Sequence, residues 1–245
     1  MKVLFFGELM LRLNPPLYER FIQASEFKIT YTGAEANVAV SLSNFGLETE
    51  FVTKVPDNEI GQAALNALRK YGVSVKSSVI GGDRLGLFYL EKGASQRGGK
   101  VIYDRANSAF ALSQRLDYDW DAIFDNIRWF HLTGITPALS DELVDICIDA
   151  LKKAKEKGVT VSIDLNYRSK LWTKEKAIAV YEKLLPYVDY CKDLLWFQGG
   201  EIDIENTANL MIKQFNLKGV AVTMRKSKSA SEHDFSALYV TNDNV

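Results

Sequence analysis

Four groups of residues in this chain have the types and spacing to do chemistry. The first is Tyr103-Asp104-Arg105 together with Tyr89. A guanidinium among phenolic hydroxyls suits a carboxylate or polyhydroxyl ligand, because it grips a carboxylate with two parallel hydrogen bonds. A solvated surface with one Asp104–Arg105 pair accounts for the same residues, and such pairs are weak. The second group is Asp164-Leu-Asn166-Tyr-Arg168. Asn166 can contact a phosphate or a ribose, and Arg168 can stabilise charge on an anionic substrate or a transferring phosphate. Asx-turns made by Asp164 and Asn166 are the plainer account. The third is Thr223-Met-Arg225-Lys-Ser227-Lys-Ser229, whose hydroxyls and cations suit nucleotide phosphates or simply a basic surface loop. The fourth runs from Tyr31 to Gly46 and holds Gly33, Ala34 and Asn37. A helix start without a bulky side chain lets a ligand oxygen approach free backbone N–H groups. Close packing of that helix would use the same small residues.

These groups need elements to hold them. The Gly33–Gly46 stretch reads as a helix with Val38, Leu42 and Phe45 on one face and a left-handed C-cap at Gly46. Val3 to Phe6 reads as a buried central strand that ends at Gly7 and Glu8. Glu8 then stands at the strand's carboxyl end, where open α/β sheets bind ligands. Two regions break the α/β rhythm. Residues 13–31 contain Pro15 and Pro16 and then extended stretches, and residues 85–105 read as a hairpin turning at Gly93, Gly98 and Gly99. Together they predict a small sheet apart from the main one, with two partly apolar faces that need a cover.

Elsewhere strands and helices alternate. Strands are predicted over 50–55, 128–133, 159–165, 220–223 and 236–240, with extended chain over 73–80 and a short strand led by 187–190. Helices are predicted over 58–71, 120–127, 140–157, 175–185 and 205–215. Ser140 caps the longest of these, with Asp141 and Glu142 in its first turn. This alternation predicts an α/β fold with a mostly parallel sheet covered by helices on both faces. Residues just past the buried strands, Asn166 and Arg168 among them, are then placed over the sheet's carboxyl edge.

Composition narrows the chemistry. The chain has 245 residues, 47% apolar and 25% charged, and a net charge of −1. That balance gives no electrostatic footprint for nucleic acid or an anionic membrane. No stretch approaches a membrane span, and a cytoplasmic location is the simpler expectation. Cys147 and Cys191 fit no metal-ligand spacing, and no metal cluster is expected. His131 lies on an apolar strand, so a hydrogen-bonded core histidine is expected there rather than a catalytic base. Ser/His/Asp chemistry has no support.

The motifs taken together resemble the ribokinase-like (PfkB) sugar kinases over most of residues 1 to 190. The matching pieces are Phe6-Gly-Glu8-Leu-Met-Leu-Arg12, Gly33-Ala-Glu-Ala-Asn37, Lys54-Val-Pro-Asp-Asn-Glu-Ile-Gly61, Tyr103-Asp-Arg105-Ala-Asn-Ser-Ala109, His131-Leu-Thr-Gly-Ile135 and Asp164-Leu-Asn166-Tyr-Arg168, with a weaker match at Val222-Thr-Met-Arg225. Within the family, the Tyr-Asp-Arg and Asn-Tyr-Arg pieces are similar to the 2-keto-3-deoxygluconate kinase branch. The resemblance implies phosphorylation of a keto-deoxy sugar acid at its terminal hydroxyl by ATP with Mg²⁺. It implies a single ribokinase-like domain over 1–245, with a β-sheet lid inserted at about 13–31 and 85–105 and a homodimer formed through that lid. Gly33, Ala34 and Asn37 would hold sugar hydroxyls. Tyr89, Tyr103 and Arg105 would reach down from the lid, and Arg168 would bind the carboxylate or a phosphate. Asn166, Thr223, Arg225, Ser227 and Ser229 would face ATP. Two family features do not occur in the 245 residues. The stretch Asp189–Gly200 lacks an Asn-x-x-Glu motif, and no Gly-Ala-Gly-Asp signature supplies the anion hole and aspartate base. The base is expected beyond Val245, which would leave this chain inactive alone. A sugar-acid-binding protein without catalysis and a fructokinase or ribokinase are the alternatives.

Overall fold

The computed structural model describes residues 1–195 and 203–241. In chain order the strands are β1 (Lys2–Phe6), β2 (Met10–Asn14), β3 (Lys28–Thr32), β4 (Glu48–Val52), β5 (Lys54–Val55), β6 (Val79–Ile80), β7 (Leu87–Glu91), β8 (Lys100–Asp104), β9 (Trp129–Thr133), β10 (Thr160–Asp164), β11 (Tyr190–Lys192), β12 (Gly219–Ser227) and β13 (His233–Thr241). The helices are α1 (Ala34–Asn44), α2 (Glu59–Arg69), α3 (Trp120–Ile123), α4 (Asp141–Glu156), α5 (Lys174–Leu184) and α6 (Ile204–Phe215).

The main sheet runs β13-β12-β11-β10-β9-β1-β4. Every neighbouring pair is parallel except β12 with β13. Strands buried on both faces favour near-continuous apolar runs, and β1 supplies one in Val3-Leu4-Phe5-Phe6. Alternation divides it between two cores. Leu4 and Phe6 join Phe130, Leu132, Val161 and Ile163 under α3, α4, α5 and α6. Val3 and Phe5 join Phe51 under α1 and α2.

Local signals start the helices where the sequence indicates. Ser140 accepts from the Leu143 N–H, Asn58 from the N–H groups of Ile60 and Gly61, and Thr173 from that of Lys176. Each satisfies donors that a helix start leaves open. The α1 helix corrects one expectation. Its buried residues are Glu35, Ala36 and Ala39, while Val38 is 38% and Phe45 79% exposed. Leu42 packs partly against the core as expected, but the fully buried places beside β1 and β4 go to the small Ala36 and Ala39. Gly46, with φ +85°, takes the left-handed turn expected after the helix.

A second sheet runs β3-β2-β7-β8 from the two irregular regions, its first strand opening at Met10 rather than in the 13–31 stretch. Its register settles which residues share a face. Arg12 pairs with Thr30 and Phe88, and Phe88 with Tyr103. Leu13 pairs with Ile29 and Tyr89, and Tyr89 with Ile102. The two rows point to opposite faces, because side chains alternate along a strand.

The C-terminal hairpin corrects a second expectation. Residues 223–227 are strand rather than loop, and only 228 and 229 lie in the turn that follows. β12 continues through Ser227 and pairs with β13 over nine residues, Gly219 with Thr241 through Ser227 with His233. Lysine and serine lower strand preference, but at an exposed sheet edge they are tolerated and charge there discourages edge pairing. The expected helix over 120–127 ends at Ile123, and the extended stretch 73–80 forms a strand only at Val79–Ile80. Residues 196–200, the end of the stretch read for an Asn-x-x-Glu motif, lie outside the described residues.

Candidate functional site

A pocket of about 150 Å³ opens between the carboxyl end of β1, the start of α1 and the small sheet. Gly33 is the N-cap of α1, with no side-chain cap. Its backbone is extended, at φ −161° and ψ 163°, so conformation does not demand glycine. Space does: a Cβ at Gly33 would stand well inside contact distance of the Glu8 carbonyl oxygen. The glycine thus lets the start of α1 lie against the exit of β1. Ala34 and Asn37 follow into the pocket wall. Asn37 Oδ1 accepts from the Thr32 hydroxyl at 2.6 Å, which leaves its amide NH₂ for a ligand oxygen.

Two carboxylates line the pocket, and both are engaged. Glu35 is buried in the first turn of α1. Its Oε1 accepts from the Thr133 N–H at 3.1 Å, the Thr133 hydroxyl at 2.7 Å and the Thr136 hydroxyl at 3.1 Å. Burial raises its pKa, and those hydrogen bonds oppose the shift. Glu8 is also buried. Its Oε2 accepts from Arg105 Nε at 2.8 Å and from Arg105 Nη2, and its Oε1 accepts from the Ser108 hydroxyl. Arg105, just past β8, is therefore neutralised within the protein.

Arg168 differs. It stands exposed in the loop after β10 and lines the pocket, and its guanidinium has no hydrogen bond or ion pair among the described residues. The turn beneath it is fixed. Asn166 has φ +42° and donates its N–H to Asp164 Oδ1 at 3.0 Å, the Asx-turn the sequence allowed. Burial raises the Asp164 pKa against the pull of Lys192. Lys192 Nζ lies 3.3 Å from Asp164 and 3.2 Å from Asp193. Burial is the largest influence on Lys192 and lowers its pKa, but the two aspartates together outweigh it and hold the ammonium above its usual value.

From the small sheet, Phe88 and Tyr103 face the pocket with ring centroids 5.7 Å apart. Tyr89 does not. It lies on the opposite face, edge-on to Phe21 at 6.3 Å and Phe27 at 5.9 Å, and Phe88 takes the place expected of it. The structure thus brings together Gly33, Ala34, Asn37, Tyr103, Arg105 and Arg168 from the expected set. Glu35, Phe88, Thr32 and Ile135 join them, and Glu8 closes the floor. Alternation along β7 separates Phe88 from Tyr89, but only the register with β8 tells which one accompanies Tyr103.

Of the residues expected to face a nucleotide, Asn166 lies in the turn beneath Arg168 and the other four lie away from this pocket. Thr223, Arg225 and Ser227 sit on β12, and Ser229 follows in the turn to β13. Arg225 is hydrogen-bonded to His233, and Lys228 pairs with Glu232 at 3.3 Å and Asp234 at 2.9 Å. Lys228 is thus paired with carboxylates, whereas among the described residues the Arg225 guanidinium meets only the imidazole and, at 5.7 Å, the Phe235 ring. The hairpin tip instead meets the turn of the small sheet, where the Ala230 N–H donates to the Ser95 carbonyl at 2.9 Å.

His131 is the core histidine its strand predicts. The Trp129 indole donates to Ser162 Oγ at 2.7 Å, and the same Oγ shares a hydrogen bond with His131 Nδ1 at 2.8 Å. Burial, with Lys192 second, lowers its pKa to about 4. Among the described residues no three His, Cys, Asp or Glu side chains form a metal-binding group, and no helix is long and apolar enough to cross a membrane.

The pfkB family carbohydrate kinase profile matches residues 1–221. Among curated proteins, a 2-dehydro-3-deoxygalactonokinase of Haloferax volcanii is 34% identical over 232 residues, which cover 93% of this chain and 73% of that one. A 2-dehydro-3-deoxygluconokinase of Bacillus subtilis is 33% identical over 168 residues, covering 68% of this chain and 52% of that one. This chain therefore spans about half to three quarters of these relatives. Among solved structures, a 2-dehydro-3-deoxygluconokinase of Thermotoga maritima is 46% identical with a TM-score of 0.93, covering 99% of this chain and 78% of that one.

Proposed function

Because the chain belongs to the pfkB family of carbohydrate kinases, we propose that its pocket holds the acceptor of a sugar-acid kinase. The acceptor is 2-keto-3-deoxygluconate or a closely related keto-deoxy sugar acid, phosphorylated at its terminal hydroxyl. The observation that carries this is Arg168, an uncompensated guanidinium in a pocket whose other cation, Arg105, is already paired with Glu8. A neutral sugar gives that cation nothing to pair with, while a carboxylate meets it with two parallel hydrogen bonds. The names of the curated relatives support the same acceptor class. The N-terminus of α1 and the free Asn37 amide suit the sugar's oxygens, and Tyr103 and Phe88 supply walls that exclude water.

ATP is the phosphoryl donor in this proposal, with Mg²⁺ as its counter-ion. Glu8 and Glu35 are both committed to internal hydrogen bonds, so neither is assigned the role of base. The small sheet acts as a lid over the acceptor, and a homodimer forms through its outer face. Ile29 is 56% and Ile102 44% exposed there, in one row with Leu13 and Tyr89, and an apolar row of that kind favours a partner. Light scattering on Ile29→Lys with Ile102→Lys tests the dimer, which should dissociate.

Calorimetry decides the acceptor. The chain should bind 2-keto-3-deoxygluconate at least about tenfold more tightly than fructose, the worth of one good charge-assisted pair. Arg168→Met should erase most of that preference. Equal affinity for both sugars would sink the sugar-acid proposal in favour of a neutral-sugar kinase.

A further inference from the structure

Glu8 has no part in the binding roles assigned above, yet it occupies the floor of the pocket. We propose that Glu8 is a positioning residue for Arg105: its carboxylate sets the direction in which the guanidinium faces the acceptor. The inference deepens the sugar-acid proposal and rests on it for the choice of ligand.

The geometry is specific. One carboxylate receives three donors from a single short segment, Arg105 Nε and Nη2 on Oε2 and the Ser108 hydroxyl on Oε1. That segment lies about a hundred positions from Glu8 in the chain, at the end of β8, so the bonds tie the small sheet to the exit of β1. A Cβ at Gly86 would overlap Glu8 Oε1, so the glycine leaves the room in which the carboxylate sits. The three donors then hold it there.

Arg105 is held from two sides. Glu8 engages the Nε and Nη2 edge, and the Tyr103 ring lies 5.8 Å from its central carbon. Nη1 has no partner among the described residues. A guanidinium carries five N–H donors in a rigid fork, so fixing one edge aims the remainder. Burying such a pair adds little stability over well-packed apolar side chains. Its contribution here is direction: a long flexible side chain is presented to the pocket in one orientation before any ligand arrives, which lowers the ordering cost of binding.

Two measurements test this. In the ligand-free protein, the Arg105 Nε–H resonance, identified by its loss in Arg105→Lys, should exchange with solvent at least about tenfold more slowly than in Glu8→Gln. Separately, Glu8→Gln should weaken 2-keto-3-deoxygluconate binding about tenfold, and by less than about twofold in an Arg105→Ala background, because a residue acting through another loses its effect when that other is removed. Unchanged exchange in Glu8→Gln, or an undiminished loss without Arg105, would overturn the proposal. If the parent binds fructose and not the sugar acid, the acceptor assignment falls, and the same cycle run with fructose, beside the exchange rate, still decides the role of Glu8. Should Glu8→Gln not fold, Ser108→Ala loosens the same carboxylate and should give a smaller loss in the same direction.

Discussion

Glu35 Oε1 accepts the Thr133 hydroxyl at 2.7 Å, joining the first turn of α1 to the end of β9 across 98 positions of chain. The same oxygen takes the Thr133 N–H and the Thr136 hydroxyl, so one buried acid anchors the pocket's rear wall. Glu35→Ala leaves three donors without an acceptor and should lower stability by about 2–4 kcal/mol in urea unfolding. Glu35→Gln keeps an acceptor and should retain most of it.

The acid also sets a pH dependence. Its pKa is raised in the folded state, so the folded protein holds the proton more tightly than the unfolded chain. Stability therefore falls as pH rises upward from the ordinary glutamate value of 4.5. Glu35→Gln lacks this term. Measured against pH, the parent should lose ground to the variant as pH increases through that window. A constant difference between the two would exclude the linkage.

His131 acts with the opposite sign. Its pKa falls from 6.5 to about 4 on folding, so the unfolded chain binds the proton more readily. Its contribution is complete above pH 6.5 and is lost as pH drops through 4, on the order of 3 kcal/mol in all. Because the chain has only two histidines, an NMR titration identifies it at once. Its ring signals should stay at the neutral position down to about pH 4, and a midpoint near 6.5 would contradict the buried Ser162 contact.

Phe88 and Tyr89 are neighbours with separate tasks. Phe88→Ala removes a pocket wall and should weaken sugar-acid binding about tenfold, while Tyr89→Ala should change it less than about twofold. The second substitution should act instead on the outer face of the small sheet, visible as a shift in association or melting. The reverse order of effects would mean that the β7–β8 register is wrong.

Gly33→Ala should destabilise the protein by about 1–3 kcal/mol, the usual penalty of overpacking. The backbone there is extended and tolerates any residue, so the loss comes from overlap with the Glu8 carbonyl alone. A thermal melt unchanged from the parent would show that α1 and β1 are not in such close approach.

Local features were legible in the amino-acid order. Ser140 and Asn58 declare helix starts, and Val3 to Phe6 declares a strand buried on both sides. Arg105 and Arg168 announced a site by their chemistry and their place after strands. Relations set by distant partners were not legible. Which face of β7 meets the pocket depends on β8. Where β12 ends depends on nine residues of β13 that give its serines and lysines a paired backbone. The partner of Arg105 was hidden because its counter-ion, Glu8, lies nearly a hundred positions away rather than at the adjacent Asp104. The burial of Ala36 and Ala39 in place of Val38 and Phe45 was hidden for a related reason: helix period identifies a face only when its larger side chains have room to enter.

All residues lining the pocket fall between Glu8 and Arg168, whereas the hairpin of β12 and β13 lies wholly downstream. The described lining of the pocket thus comes from one uninterrupted part of the chain. The hairpin reaches it only at second hand, through the Ala230 N–H on the Ser95 carbonyl in the turn between β7 and β8, the strands that carry Phe88 and lead to Tyr103. A change at that turn would pass to the pocket wall along two strands rather than by contact.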